Sequence, residues 1–424
     1  MVTLALARRQ IISVLGVVFC LLGLVEVIPS VRYAVRDKTG DLGRQWVVTQ
    51  YVIRRVNPYP VALEALVASY GVLAPRGPVH LRDAQISDIP TSGPHPKTDP
   101  ALGPPETTYP PGALMMLVPL GLLPRDTVAL LWLVLNLALM FLVAQELRAL
   151  TRASEVGLLF FLGLVAAWPA TSICIEREQM SLLCLYCILV AHRIHGRCPI
   201  VAGLLYSLSL VKPSLAIPFL ALPVLESDIG LANKTKALVS LAASQLALLG
   251  AMCWMVRSNP VELITGWLRV AAYFRQGIYT VQEIINRLRL DGSLGDFALQ
   301  ISILLGGIFL AYQSRDSRKL ATVAIVSCIW TYHARYDFAI LLIPAALLVG
   351  AHVSWRWIVD LATLVAVGIG LTEPIYHGTG MISTSMRMAA RFSIVALLVG
   401  AALKWPVTGA DLQQDPSGTP SLAQ

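Results

Sequence analysis

The sequence predicts an all-α fold, a polytopic integral membrane bundle of about 10–12 crossings, and three observations carry that expectation. Hydrophobic residues make up 56% of the 424 positions and charged residues only 14%. A soluble chain carries roughly a quarter charged residues, so much of this surface must face lipid. Apolar runs of about 15–22 residues recur along the chain between short polar clusters, which fits helices that satisfy their own backbone in hydrocarbon. One long polar interruption, residues 31–111, follows the first apolar run. The net charge of +8 fits Lys and Arg in cytoplasmic loops and against lipid phosphates, so no nucleic-acid partner is expected.

Arg8-Arg9 precede an apolar run from Ile11 to Ile28, read as a signal anchor with the N-terminus in the cytoplasm and the following loop outside. Within that loop, Asp41 to Val56 and Val61 to Leu73 mix apolar and charged positions and are expected as short helices on the membrane surface. Residues 75–105, rich in Pro, Gly, Asp and Thr, read as extended chain. Gly112 to Leu123 is too short to span and is expected to be re-entrant. Full spans are expected at Thr127–Leu147, Val156–Ile173 and Gln179–Ala191. Ile200–Leu225 is interrupted by Lys212-Pro213 and reads as two half-helices with Lys212 at the apex, since a charge beside a helix breaker is tolerated only facing protein or water. Lys236–Val256 spans again, and residues 257–296 form a second extracytoplasmic loop. Phe297–Tyr312, Leu320–Tyr332, Phe338–Val349, Trp357–Leu371 and Arg391–Lys404 complete one transmembrane domain, residues 1–405. Residues 406–424 read as a disordered cytoplasmic tail.

This topology puts the clusters Arg148/Arg152, His192–Arg197, Lys234/Lys236, Arg315–Lys319 and Arg356 on one side, in line with the positive-inside bias. The other side receives Asp41, Tyr109, Glu176–Gln179, Lys212 and His333–Asp337. The seven cysteines lie mostly in apolar runs; Cys184-Leu-Tyr-Cys187 falls inside one and reads as packing. His192 and His195 lack a third ligand, so no metal site is expected. No phosphate-binding loop or dinucleotide fingerprint occurs, so no cofactor is expected.

A polar face at membrane depth suits chemistry on a lipid-borne substrate. A sugar on polyprenyl phosphate already has a good leaving group. Its transfer needs cations on the phosphate and a carboxylate to take the acceptor's proton. Asp41 supplies the carboxylate, and Arg177, Lys212, His333 and Arg335 are the candidate phosphate-binding cations. Asn57, Tyr59, Tyr109, Glu178, Gln179 and Asp337 are the candidates for substrate contact, although Asn57-Pro58-Tyr59 and Tyr109-Pro110-Pro111 are also turn chemistry by themselves. The polyprenyl-phosphate sugar, a lipid or glycan acceptor and membrane lipids are the expected partners.

The order of these pieces resembles glycosyltransferase family 87, in the C-type superfamily of polyprenol-phosphate-sugar-dependent transferases. The resemblance runs over about residues 10–350 and rests on several short motifs. They are an Asp after the first helix, Asn57-Pro58-Tyr59, Thr108-Tyr109-Pro110-Pro111, Glu178-Gln179-Met180-Ser181-Leu182, Val211-Lys212-Pro213 and His333-Ala-Arg335-Tyr336-Asp337. It implies an inverting single displacement with Asp41 as general base, and mannose as the commonest sugar. Glu178 stands where the family usually has Gly, and Ser181 where it has Asn. A transporter or lipid-sugar flippase is the competing class, but it would be expected to carry matched helix breaks in two halves, and one Lys-Pro break is evident.

Overall fold

A computed structural model describes residues 2–36, 40–70, 107–151, 157–275, 293–314, 317–331 and 335–350. Among these residues every regular element is a helix and there is no strand. The first helix, α1, covers Val2–Arg36, followed by α2 (Asp41–Ile53) and α3 (Pro58–Tyr70). Then come α4 (Pro111–Gly121), α5 (Arg125–Thr151), α6 (Leu158–Ala167), α7 (Pro169–Glu176), α8 (Ser181–Ile194) and α9 (Pro199–Ser209). A broken segment holds α10 (Pro213–Ala216), a 3-10 turn (Ile217–Ala221) and α11 (Leu222–Leu225). The rest comprises α12 (Leu231–Val256), α13 (Pro260–Arg275), α14 (Ser293–Gln313), α15 (Ser317–Ile329), a 3-10 helix (Arg335–Leu341) and α16 (Leu342–Gly350).

The protein is a membrane protein. Among the described residues three helices are long and apolar enough to cross a bilayer, or four if the bent α6–α7 pair counts as one span; shorter apolar helices pack among them. Val17, Leu21, Leu24 and Val25 on α1, Leu130 and Val134 on α5, and Leu246 on α12 are exposed. Stripes of this kind, at about 1.5–3 kcal/mol per large apolar side chain left in water, are stable only against lipid. Inside the bundle, small residues bring helices close. A Cβ on Gly163 of α6 would stand 2.8 Å from the backbone nitrogen of Cys20 and 2.9 Å from the carbonyl of Gly16, both on α1.

The span expected over Val156–Ile173 is not straight. The chain bends by 66° between α6 and α7, because Pro169 at the start of α7 has no N–H to continue the ladder. The bend is locked by Trp168, 2% exposed, whose indole donates to the carbonyl of Phe338 at 3.0 Å. The break at Lys212-Pro213 stands as expected: α9 ends at Ser209 and the chain continues as short turns from Pro213. Helices form at Asp41–Ile53 and Pro58–Tyr70, where short helices were expected, with Leu42, Val48, Val52, Tyr59 and Ala62 buried in a shared core, and the segment expected to be re-entrant holds an 11-residue helix, α4. The second polar stretch is in part helical, as α13. The stretches 75–105, Trp357–Leu371, Arg391–Lys404 and 406–424 lie outside the described residues.

Contacts sort the polar residues between the two ends of the bundle. Arg193 pairs with Glu146 at 2.7 Å, Lys234 and Lys319 donate to the carbonyls of Val224 and Leu225, and Asn233 donates to the carbonyl of Gly196. Helix α8 leads from its other end, at Ser181, to this basic end, and α9 returns from it to Lys212. Ser181 and Lys212 therefore meet at the end opposite the basic clusters.

Candidate active site

The site is built where α2 starts against the turn between α7 and α8. The N–H of Asp41, the first residue of α2, donates to the carbonyl of Arg177 at 3.0 Å. The Gln179 amide donates to Asp41 Oδ2, and the Tyr336 hydroxyl hydrogen-bonds the same carboxylate. Asp41 lies past the apolar run of α1, which ends at Arg36. Burial raises its carboxyl above the ordinary carboxylate value; the charges of Arg44, Lys212 and Arg177 and the Tyr336 hydrogen bond oppose that rise. Burial is the larger effect, so Asp41 holds a proton more tightly than a solvated Asp.

The turn that carries Gln179 has a strained origin. Helix α7 ends at Glu176, and Glu178 follows in the left-handed region at φ 54°. Its N–H reaches the carbonyl of Ile175 and that of Gln179 the carbonyl of Cys174, at 3.3 and 2.8 Å. This is the paired closure in which helices usually place Gly. The position that the family resemblance assigns to Gly thus has a backbone reason for it, and Glu178 occupies it at a cost of about 1–2 kcal/mol. Its carboxylate packs against Gly40: a Cβ there would stand 2.7 Å from Glu178 Oε2. A buried carboxylate beside the start of α2 also meets the positive end of that helix.

A second carboxylate is sealed beneath. Asp337, 5% exposed, accepts from Lys212 Nζ at 2.7 Å and from Ser181 Oγ at 2.9 Å. Lys212 also lies 4.0 Å above the Tyr336 ring. Tyr336 therefore joins the two layers, with its hydroxyl on Asp41 and its ring under Lys212. Sequence reasoning placed Tyr336 and Ser181 within motifs but gave neither a role in the site; the signals were the tyrosine next to Asp337 and the departure from Asn at Ser181.

The remaining candidates sort by position. Arg177 is partly exposed, with its guanidinium 3.3 Å from Glu176 and 5.5 Å over the Tyr33 ring. Tyr59 is fully buried and donates to the carbonyl of Tyr109 at 2.9 Å. Asn57 Oδ1 accepts from the N–H of Tyr59 at 3.2 Å and caps α3, and Trp267 donates to the carbonyl of Thr108 at 2.8 Å. Asn57 and Tyr59 hold the loop around Tyr109, which lies within electrostatic reach of Tyr336. His333 lies outside the described residues, and only the backbone of Arg335 is described, at the start of the 3-10 helix. Among the described residues no three His, Cys, Asp or Glu side chains come together as metal ligands.

What the arrangement offers is a basic carboxylate with an open side, set among Arg177, Arg44 and Lys212. Comparison with curated proteins and with solved structures finds no match. The sequence matches the model of Glycosyltransferase family 87 over residues 108–372, more than half of the chain. The match takes in Tyr109, Arg177–Gln179, Lys212 and Asp337; it starts after Asp41, so the resemblance read from about residue 10 is narrower on its N-terminal side. On this match the protein is a glycosyltransferase rather than a transporter: the chain belongs to glycosyltransferase family 87.

Proposed function

We propose that this glycosyltransferase moves a hexose, by family resemblance mannose, from a polyprenyl-phosphate sugar to a hydroxyl of a lipid-linked or glycan acceptor. The reaction is an inverting single displacement on the extracytoplasmic face of the cell membrane. Asp41 takes the proton from the acceptor hydroxyl as its oxygen bonds to the anomeric carbon. The bond from that carbon to the phosphate oxygen breaks on the opposite side, and the polyprenyl phosphate leaves with the electron pair. The observation that carries this reading is the division of labour between two carboxylates. Asp337 is committed to Lys212 and Ser181 in the interior, whereas Asp41 is held by the uncharged donors Gln179 and Tyr336 and keeps surface access. Desolvation makes Asp41 the stronger base, and a base nearer the working pH is the more effective proton acceptor.

Arg177, partly open beside Asp41, supports the role of phosphate ligand. Lys212 contributes positive potential from beneath, where charge that is fixed in advance stabilises a leaving phosphate without reorganisation. His333 and Arg335 complete the proposed cation set, and Tyr109, Glu178 and Gln179 the substrate-facing wall. The basic clusters at the opposite end of the bundle support an extracytoplasmic site through the positive-inside bias. Purified protein in lipid nanodiscs, given a panel of radiolabelled polyprenyl-phosphate hexoses and total lipid extract, is expected to transfer label with inversion. Retention of anomeric configuration, or transfer from a nucleotide sugar instead, would overturn the proposal.

A further inference from the structure

The turn between α7 and α8 grips Asp41 twice. Its backbone takes the N–H of Asp41 on the carbonyl of Arg177 at 3.0 Å, which fixes where α2 begins. Two residues on, Gln179 Nε2 donates to Asp41 Oδ2. The turn is itself anchored. The Gln179 N–H donates to the carbonyl of Cys174 at 2.8 Å, and the Trp132 indole donates to the Gln179 carbonyl at 3.4 Å. Ser181, next but one along the chain, holds Asp337, so the grip on Asp41 is rooted in the buried Lys212–Asp337 layer.

Charge fixes the orientation of the amide. With Oε1 turned toward Asp41, two electron-rich oxygens would face each other, so the nitrogen faces the carboxylate. Oε1 then lies buried with no hydrogen-bond partner among the described residues. A buried acceptor without a donor costs stability, and a fold carries that cost where a site needs the geometry. Only 1% of Gln179 is exposed, so it reaches the substrate through Asp41. The donor is also uncharged. A Lys or Arg in its place would orient the carboxylate but weaken it as a base, whereas an amide orients it and leaves more of its basicity. We propose that Gln179 is the positioning residue of the base, holding the Asp41 carboxylate in the orientation that meets the acceptor hydroxyl. This deepens the function proposed above and rests on it for the role of Asp41. The charged and titratable groups around the carboxylate are Arg44 on its own helix, Arg177 and Glu178 from the turn, Lys212 from the break after α9, and Tyr336 from the 3-10 helix.

The test changes the side chain alone, since the bonds that anchor Gln179 are made by its backbone. Gln179→Leu and the near-isosteric Gln179→Glu are compared with wild type in lipid nanodiscs for kcat, for KM of the polyprenyl-phosphate hexose and for the pH profile. Gln179→Leu is expected to lose about tenfold to a hundredfold in kcat with KM unchanged, the scale of a reacting group displaced by about 1 Å. Losing a donor to the charged form raises the Asp41 carboxyl, so the acid limb of kcat/KM is expected at higher pH. In Gln179→Glu a second carboxylate beside the first moves the limb the same way. A merely structural turn residue would reduce the amount of folded enzyme and leave that limb in place. Wild-type kcat in Gln179→Leu, or an acid limb unmoved in both variants, overturns the proposal; where Gln179→Leu fails to fold, Gln179→Glu decides. The contact is also read without transfer, from the pH titration of the infrared carboxyl band that Asp41→Asn lacks. That band is expected to titrate at higher pH in both Gln179 variants, and an unmoved band overturns the contact. A band that moves as expected in a protein whose wild type transfers no sugar sinks the transferase reading, and the base with it, while the grip of Gln179 on Asp41 stands.

Discussion

Removing one member of the buried Lys212–Asp337 pair is the perturbation whose size the structure sets most directly. The charges approach to 2.7 Å with side chains only 8% and 7% exposed, and at an effective dielectric near 20 their attraction is about 6 kcal/mol. Desolvation of both ions takes back much of that. The Tyr336 ring below Lys212 adds about 1–2 kcal/mol, and Ser181 satisfies a further acceptor site. Lys212→Met leaves Asp337 charged and buried without its cation, and Asp337→Leu strands Lys212; each is expected to destabilise by about 3–5 kcal/mol. The double variant Lys212→Met/Asp337→Leu is expected to recover most of that stability, because it buries no lone charge. The assay is unfolding in mixed micelles by denaturant titration of the four proteins. Single variants within about 1 kcal/mol of wild type, or a double variant as unstable as the sum of the singles, would refute the reasoning.

Three further outcomes follow from the same geometry. Glu178→Gly is expected to be about 1 kcal/mol more stable than Glu178→Ala by the same titration, since both lose the carboxylate and only Gly relaxes at φ 54°; equal stability would contradict the strain. Gly163→Val is expected to cost at least about 1–3 kcal/mol by forcing α1 away from α6, read as a lower melting temperature in detergent, and no change would contradict the close approach. Burial raises the Asp41 carboxyl and nearby cations hold it down, so the acid limb of kcat/KM against pH is expected above the ordinary Asp value of about 4. Arg177→Gln removes a cation that favours the charged form and is expected to move that limb to still higher pH; a shift to lower pH would contradict the assignment.

Much of this was legible in the sequence because the deciding residues break local rules. Lys212 beside Pro213 in an apolar run has few stable explanations in a membrane, and the helix break follows from it; its pairing with Asp337 was not legible, since Lys212 was expected on a phosphate and the two lie 125 positions apart. Asp41 and Gln179 were legible as polar residues flanking apolar runs. Their contact was not, since it joins positions 138 apart through packing that no local pattern encodes. Tyr336 was hidden for the same reason: its role depends on α2 and the Lys212 break arriving on opposite sides of one ring. The bend at Trp168-Pro169 was missed because apolar composition runs straight through it. Hydropathy registers which solvent a segment prefers, whereas direction depends on a missing N–H and an indole bonded to a distant carbonyl. The left-handed turn at Glu178 was legible only as a departure from a usual Gly, and the backbone gives that departure its meaning.

The account stands on Asp41 as the base, and the most direct measurement compares sugar transfer from a polyprenyl-phosphate donor by wild type, Asp41→Asn and Asp337→Asn, with donor binding measured alongside. Asp41→Asn is expected to lose at least about a thousandfold in kcat while binding donor normally, the scale of removing a positioned general base together with its charge. Transfer by Asp41→Asn within about tenfold of wild type, with Asp337→Asn inactive though folded, would contradict the account and move the base to Asp337.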